Sequence, residues 1–246
     1  MWGVLDRLYA FYEIGRLNQI QKQNFKPEIK KHNSEKEIWI CFVPVSVSSD
    51  SIFRRGILPE KGVSIIYTIN SIYMIKSDSK KTISNLDKIY NDAIMRLKGF
   101  EKKGYSINLL GVSLGNIFSI RLASEVKNLG EIVSIVGGAN LGASAFGSVL
   151  TSRVLEKCTD SNKYRRDLSA YDPIRYVPRI NAKSIILRLG KMDRLIPFNE
   201  GKKLAESFLK IASKKRIKID YKFFRWADHC SSMFFYSLEC LAKKHL

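Results

Sequence analysis

A serine, an aspartate and a histidine stand in this chain at positions where together they can carry acyl transfer. The serine is Ser113, inside Gly111-Val112-Ser113-Leu114-Gly115, a G-x-S-x-G pattern. Such a pattern can hold a serine on a sharp strand-to-helix turn with its hydroxyl raised above a sheet. Its glycines then remove side chains where strand and helix come close. Five residues alone are a weak signal, so the setting decides: a strand must precede and a helix must follow. Tyr105 to Leu110 (YSINLL) reads as the strand, and the segment from Asn116 reads as the helix. The positive N-terminus of that helix faces the oxyanion that acyl transfer develops.

A serine hydroxyl becomes a nucleophile only when a base takes its proton, and the base needs a carboxylate to hold its tautomer. The chain has three histidines. His32 lies in a polar, lysine-rich stretch and His245 is the penultimate residue, whereas His229 falls just after a strand-like run, in Ala227-Asp228-His229. Asp193 lies in Gly190-Lys191-Met192-Asp193-Arg194-Leu195-Ile196-Pro197, after another strand-like run. Taken singly, the histidine reads as structural and the aspartate as a turn residue. Their order changes this. Ser113, Asp193 and His229 each follow a predicted strand at one edge of a sheet, where open parallel sheets place their ligand sites. Ser144, in GASAFGS, has no strand directly before it and reads as part of a pocket rim or lid.

The elements that must position these groups alternate along the chain. Ile38–Val43, Val63–Ile69, Tyr105–Leu110, Ile132–Val136, Ser184–Leu189 and Ile219–Trp226 are apolar or alternating runs of strand length. Between them lie helix patterns. Residues 79–103 carry Ile83, Leu86, Tyr90, Ala93, Leu97 and Phe100 at helical spacing, and residues 116–129 stop at Gly130. Residues 198–215 put Leu204, Phe208 and Ile211 on one face, and residues 231–244 form the last helix. Strands alternating with helices of this length predict an α/β fold, a mostly parallel sheet covered by helices on both faces. Two regions stand outside the alternation. Residues 1–36 form an N-terminal helical extension, and the main domain runs over residues 37–246 with a small lid within 139–179.

With GVSLG, the stretch DPIRYVPRINAKSIILRLGKMDRLIP and the terminal ADH in place, the chain from about residue 37 to 245 resembles the α/β-hydrolases. The resemblance implies that Ser113 is the nucleophile, Asp193 the acid and His229 the base. Asp172, before Pro173, is a weaker candidate for the acid. Many members place His-Gly after the strand corresponding to IWICFV, to form half of the oxyanion hole. Here Pro44-Val45-Ser46-Val47 follows instead, and Pro44 has no N–H. The oxyanion donors expected are the backbone of Val45 or Ser46 together with Leu114. Asn116 stands where a small residue is usual, and reads as a helix cap.

Bulk composition bounds the rest. The net charge is +19, but the lysines and arginines are spread along the whole chain and no nucleic-acid motif gathers them. They read as solvated faces, with no specific nucleic-acid partner. Four cysteines without C-x-x-C spacing suit a reducing, cytoplasmic setting, and there is no zinc-ligand spacing. In the extension, Trp2, Leu5, Leu8 and Tyr12 share a helical face beside Tyr9. That face packs on the domain, covers the active site or forms a dimer contact, or touches a membrane surface peripherally. The expectation is a serine hydrolase, a carboxylesterase or thioesterase, that cleaves a small-molecule ester or thioester through an acyl-enzyme without metal or organic cofactor. The alternatives are a catalytically inactive binding or scaffold protein of the same fold and a basic, membrane-surface-associated protein.

Overall fold

The computed structural model describes residues 25–244. The aromatic face of the extension and His245 lie outside them. Among the described residues, seven strands form one sheet: β1 (Glu28–Lys31), β2 (Glu37–Pro44), β3 (Val63–Ile69), β4 (Ser106–Val112), β5 (Leu129–Ile135), β6 (Ala182–Gly190) and β7 (Lys218–Phe224). Their order is β1-β3-β2-β4-β5-β6-β7. Only β1 runs antiparallel, against β3, and every other neighbouring pair is parallel.

Burial on both faces explains why β2 reads as a continuous apolar run. Ile38, Ile40 and Phe42 enter one core, while Trp39, Cys41 and Val43 enter the other. The first core also holds residues from helices Ser79–Lys102, Asn116–Ala123 and Phe198–Lys215. The second is smaller and takes Ile52 and Phe53 from helix Ser49–Arg54 and Tyr236 from helix His229–Lys244. From β2 the chain goes outward to β3, then returns to the opposite side of β2 to lay down β4. The carboxyl ends of β2 and β4 therefore flank the point where the winding reverses, the place where an open α/β sheet leaves a crevice.

Two elements differ from the sequence expectation. Residues 28–31, read as part of a helical extension, form edge strand β1. Its sequence EIKK holds a single apolar residue, so no apolar run marks it, and its charges blunt the sheet edge. The helix from Asn116 ends at Ala123, and Gly130 lies inside β5 rather than capping a helix. A Cβ on Gly130 would stand 2.3 Å from Asn108 Oδ1, so this glycine serves a close strand-to-strand approach. Residues 139–179 hold three short helices (Leu141–Gly147, Ser152–Leu155, Ser161–Leu168) and three 3-10 turns.

Candidate active site

Ser113 lies directly after β4, opens a 3-10 turn that leads into helix Asn116–Ala123, and has φ +56°. A side-chain-bearing residue in the left-handed region is strained by about 1–2 kcal/mol. The neighbours that enforce the turn are visible. A Cβ on Gly111 would lie 2.2 Å from Ser119 Oγ, and one on Gly115 would lie 2.2 Å from the carbonyl oxygen of Phe42 in β2. Both glycines of the motif are thus required by close approach. Asn116 is not the cap the sequence suggested: the N-cap position is Gly115, and no side chain caps the helix. Asn116 Nδ2 donates to Ser113 O (3.0 Å) and to Ile135 O at the end of β5 (2.9 Å), tying the strained turn to the neighbouring strand. The bare motif carries no signal for this clamp.

Asp193 and His229 are brought together. Nδ1–H of His229 donates to Asp193 Oδ2 at 2.8 Å, with both side chains almost wholly buried. The other carboxylate oxygen, Oδ1, accepts the backbone N–H groups of Leu195 (2.9 Å) and Ile196 (2.8 Å). The aspartate is thus fixed by its own loop before it meets the imidazole. The two loops are stitched by backbone bonds, Lys191 N–H to Phe224 O and Met192 N–H to Ala227 O. Gly190 permits the approach, since a Cβ there would lie 2.5 Å from Ala227 O. Asp228 accepts from Ser231 N–H (2.8 Å) and Ser231 Oγ (2.6 Å), capping the helix that starts at His229. Further along that helix, Glu239 receives Nε of Arg188 at 2.8 Å. Arg188 is fully buried on β6, and its Nη2 also pairs with Asp220 of β7 at 2.7 Å. The arginine anchors the histidine-bearing helix to the sheet. Sequence reasoning passed over it inside the apolar run SIILRL.

Asp172 is elsewhere. Its Oδ1 accepts from Leu141 N–H at 2.7 Å, at the start of helix Leu141–Gly147, and burial pushes its carboxyl up to about 6. Ser144 lies on that helix, lining the cleft at Ser113 with Leu114, Leu195 and Ile196. The cleft has about 30 Å³ of room. On the β2 side, Pro44 to Val47 form a turn closed by Val47 N–H to Pro44 O (2.9 Å), and Val45 N–H is already committed to Ile69 O (3.2 Å). That bond takes Val45 out of the expected oxyanion donors. Leu114 N–H stands in the first turn of a helix, where amides have no intrahelical acceptor.

No protein-family model matches the sequence, and no curated protein matches it either. Solved structures do match. Acetyl xylan esterase 1 from a Thermoanaerobacterium species aligns with TM-score 0.60 at 12% identity, over 87% of this chain and 78% of that one. A Thermus thermophilus protein aligns with TM-score 0.57 at 11% identity, over 88% and 91%. A puromycin-hydrolyzing peptidase of Mycobacterium tuberculosis aligns with TM-score 0.54 at 12% identity, over 82% of this chain and 33% of that chain, so this chain spans about a third of the peptidase's length. With its strand order, its strained serine at the winding reversal and these neighbours, the chain is a protein of the α/β-hydrolase fold.

Proposed function

We propose that this protein is a serine hydrolase that cleaves an ester or thioester through Ser113, His229 and Asp193. The observation that carries the reading is the left-handed φ of +56° at Ser113. Strain at a non-glycine residue persists only where the surroundings over-determine it, and such residues cluster at reactive sites. In the proposed reaction His229 Nε2 takes the proton from Ser113 Oγ as Oγ bonds to the acyl carbon. The N–H groups of Leu114 and Ser46 receive the oxyanion. The same proton passes to the leaving oxygen or sulfur as its bond to the acyl carbon breaks. Water then repeats the sequence on the acyl-enzyme and frees the acid and Ser113. Asp193 keeps the proton of His229 on Nδ1 and stabilises the imidazolium. A cleft of about 30 Å³ favours a short acyl group. Cytoplasmic placement is also part of the proposal and rests on four cysteines in the thiol form.

A second reading, a binding or scaffold protein without catalysis, is favoured by the β2 turn. Pro44 has no N–H and Val45 has already spent its own on Ile69 O. Labelling by a fluorophosphonate probe separates the two. An active hydrolase labels, loses all labelling in Ser113→Ala and most of it in His229→Ala. Folded wild-type protein that does not label supports the scaffold.

A further inference from the structure

A second cavity, of about 270 Å³, lies on the other face of the sheet from the helices that follow β3 and β4. Its floor is Leu110, Val112 and Ile135, from the carboxyl ends of β4 and β5, and its walls include Ile52 of helix Ser49–Arg54 and Met233 of the last helix. Arg55 stands at its rim and is exposed. Among the described residues no carboxylate lies within ion-pair distance of Arg55. Ser113 does not line this cavity, but Ser46 and Cys230 do. The pocket therefore touches the turn that carries the proposed oxyanion donor and the residue after His229, without opening on the nucleophile.

An apolar hollow with, among the described residues, a single cation at its rim fits one kind of occupant, an amphiphile with an apolar tail and an anionic head. Apolar cavities of about 150 Å³ hold a six-carbon ring, so the room here suits a tail of ~10 carbons. The head-group choice follows from Arg55, whose planar fork suits a carboxylate. Phe234, half exposed, also lines the pocket, and Leu238, one helical turn on, is exposed as well; both give the tail apolar surface at the entrance. We propose that this pocket is a separate binding site for a medium-chain carboxylate. The site stands independently of the hydrolase reading, because its readout is binding.

The test is calorimetric titration of the full chain with hexanoate, octanoate and decanoate, below their micelle concentrations. Each added methylene tightens binding by about threefold to fourfold until the pocket is full. Arg55→Ala weakens decanoate by about threefold to fivefold, as expected for one exposed ion pair, and leaves decanol unchanged. Ile57→Trp, which fills the pocket from a partly exposed position, abolishes both. Protein already blocked at Ser113 by the fluorophosphonate, or carrying Ser113→Ala, still binds. Because Ile57→Trp could unfold the chain, a diazirine-bearing decanoate is crosslinked to wild-type protein as well. Crosslinks at residues 46–57 and 230–234 support the site. Crosslinks at residues 141–151 or 195–196 overturn it by placing the tail in the Ser113 cleft, and so does the absence of decanoate binding to wild type.

Discussion

Replacing Asp193 by asparagine tests the proposed mechanism most sharply, because the two oxygens of this carboxylate have different tasks. Oδ1 accepts from Leu195 and Ile196 N–H at 2.9 and 2.8 Å, while Oδ2 accepts from His229 Nδ1 at 2.8 Å. An asparagine has one acceptor, and it must choose. Turned with its NH2 toward the loop, it would leave two buried amides facing a donor, costing about 1–3 kcal/mol each, roughly 2–6 kcal/mol in sum. Turned the other way, it keeps both loop bonds and presents its NH2 to His229. The imidazole then accepts at Nδ1 and carries its proton on Nε2, where it cannot take one from Ser113. The second orientation wins, so the protein stays folded in the wrong tautomer. The second-order rate of fluorophosphonate labelling should fall by roughly 10³- to 10⁴-fold. Asp193→Ala, by contrast, also strands the Leu195 and Ile196 amides. It should cost about 2–6 kcal/mol of stability, or roughly 4–24 °C in Tm for a chain of this size. An Asp193→Asn protein that labels within tenfold of wild type would refute the assignment of Asp193 as the residue that sets the tautomer.

Three further outcomes are expected. Gly115→Ala pushes a methyl to 2.2 Å from the backbone oxygen of Phe42, which cannot swing away, so urea unfolding should show a loss of about 1–3 kcal/mol together with weaker labelling. Asp172, with its carboxyl raised to about 6 by burial, is disfavoured in its charged form within the fold. The folded state therefore binds more protons than the unfolded chain between about pH 4 and 6, and stability falls as pH rises through that window. Asp172→Asn should flatten this dependence and gain about 1–2 kcal/mol at pH 7, once solvent screening of a partly exposed group is allowed for; an unchanged pH profile of Tm counts against it. For the substrate, kcat/KM measured on p-nitrophenyl esters should favour acetate over decanoate by at least about tenfold, given a Ser113 cleft of about 30 Å³. A preference for decanoate would overturn this reading of the Ser113 cleft.

The six parallel strands and two long helices could be read from sequence because of their apolar spacing. Val63–Ile69 and Phe198–Lys215 fall where periodicity places them. The placement of Ser113, Asp193 and His229 was legible for a different reason: each follows a strand, and a parallel sheet gathers strand ends at one edge. What stayed hidden depends on partners distant in sequence. Edge strand β1 is specified by pairing with β3 and not by its own composition. The loss of Val45 as a donor follows from the β2–β3 ladder running one bond past Pro44. Arg188 looks out of place in SIILRL until Asp220 and Glu239 are seen on either side of it. Residues 139–179 contain short helices too brief for a periodic signal.

The Asn116 clamp has a consequence for how this chain becomes competent. The amide holds Ser113 O and Ile135 O at once, and Ile135 lies 19 residues further along, at the end of the next strand. The glycine approach of Gly115 to Phe42 likewise needs β2 in place. The strained geometry at Ser113 is therefore held only in part by its own turn and is completed when three strands have docked in register. During refolding, reactivity of this serine should return with final strand docking, after helical content has recovered. A nascent or damaged chain would accordingly carry an inert serine, and reactivity would itself report that assembly is complete.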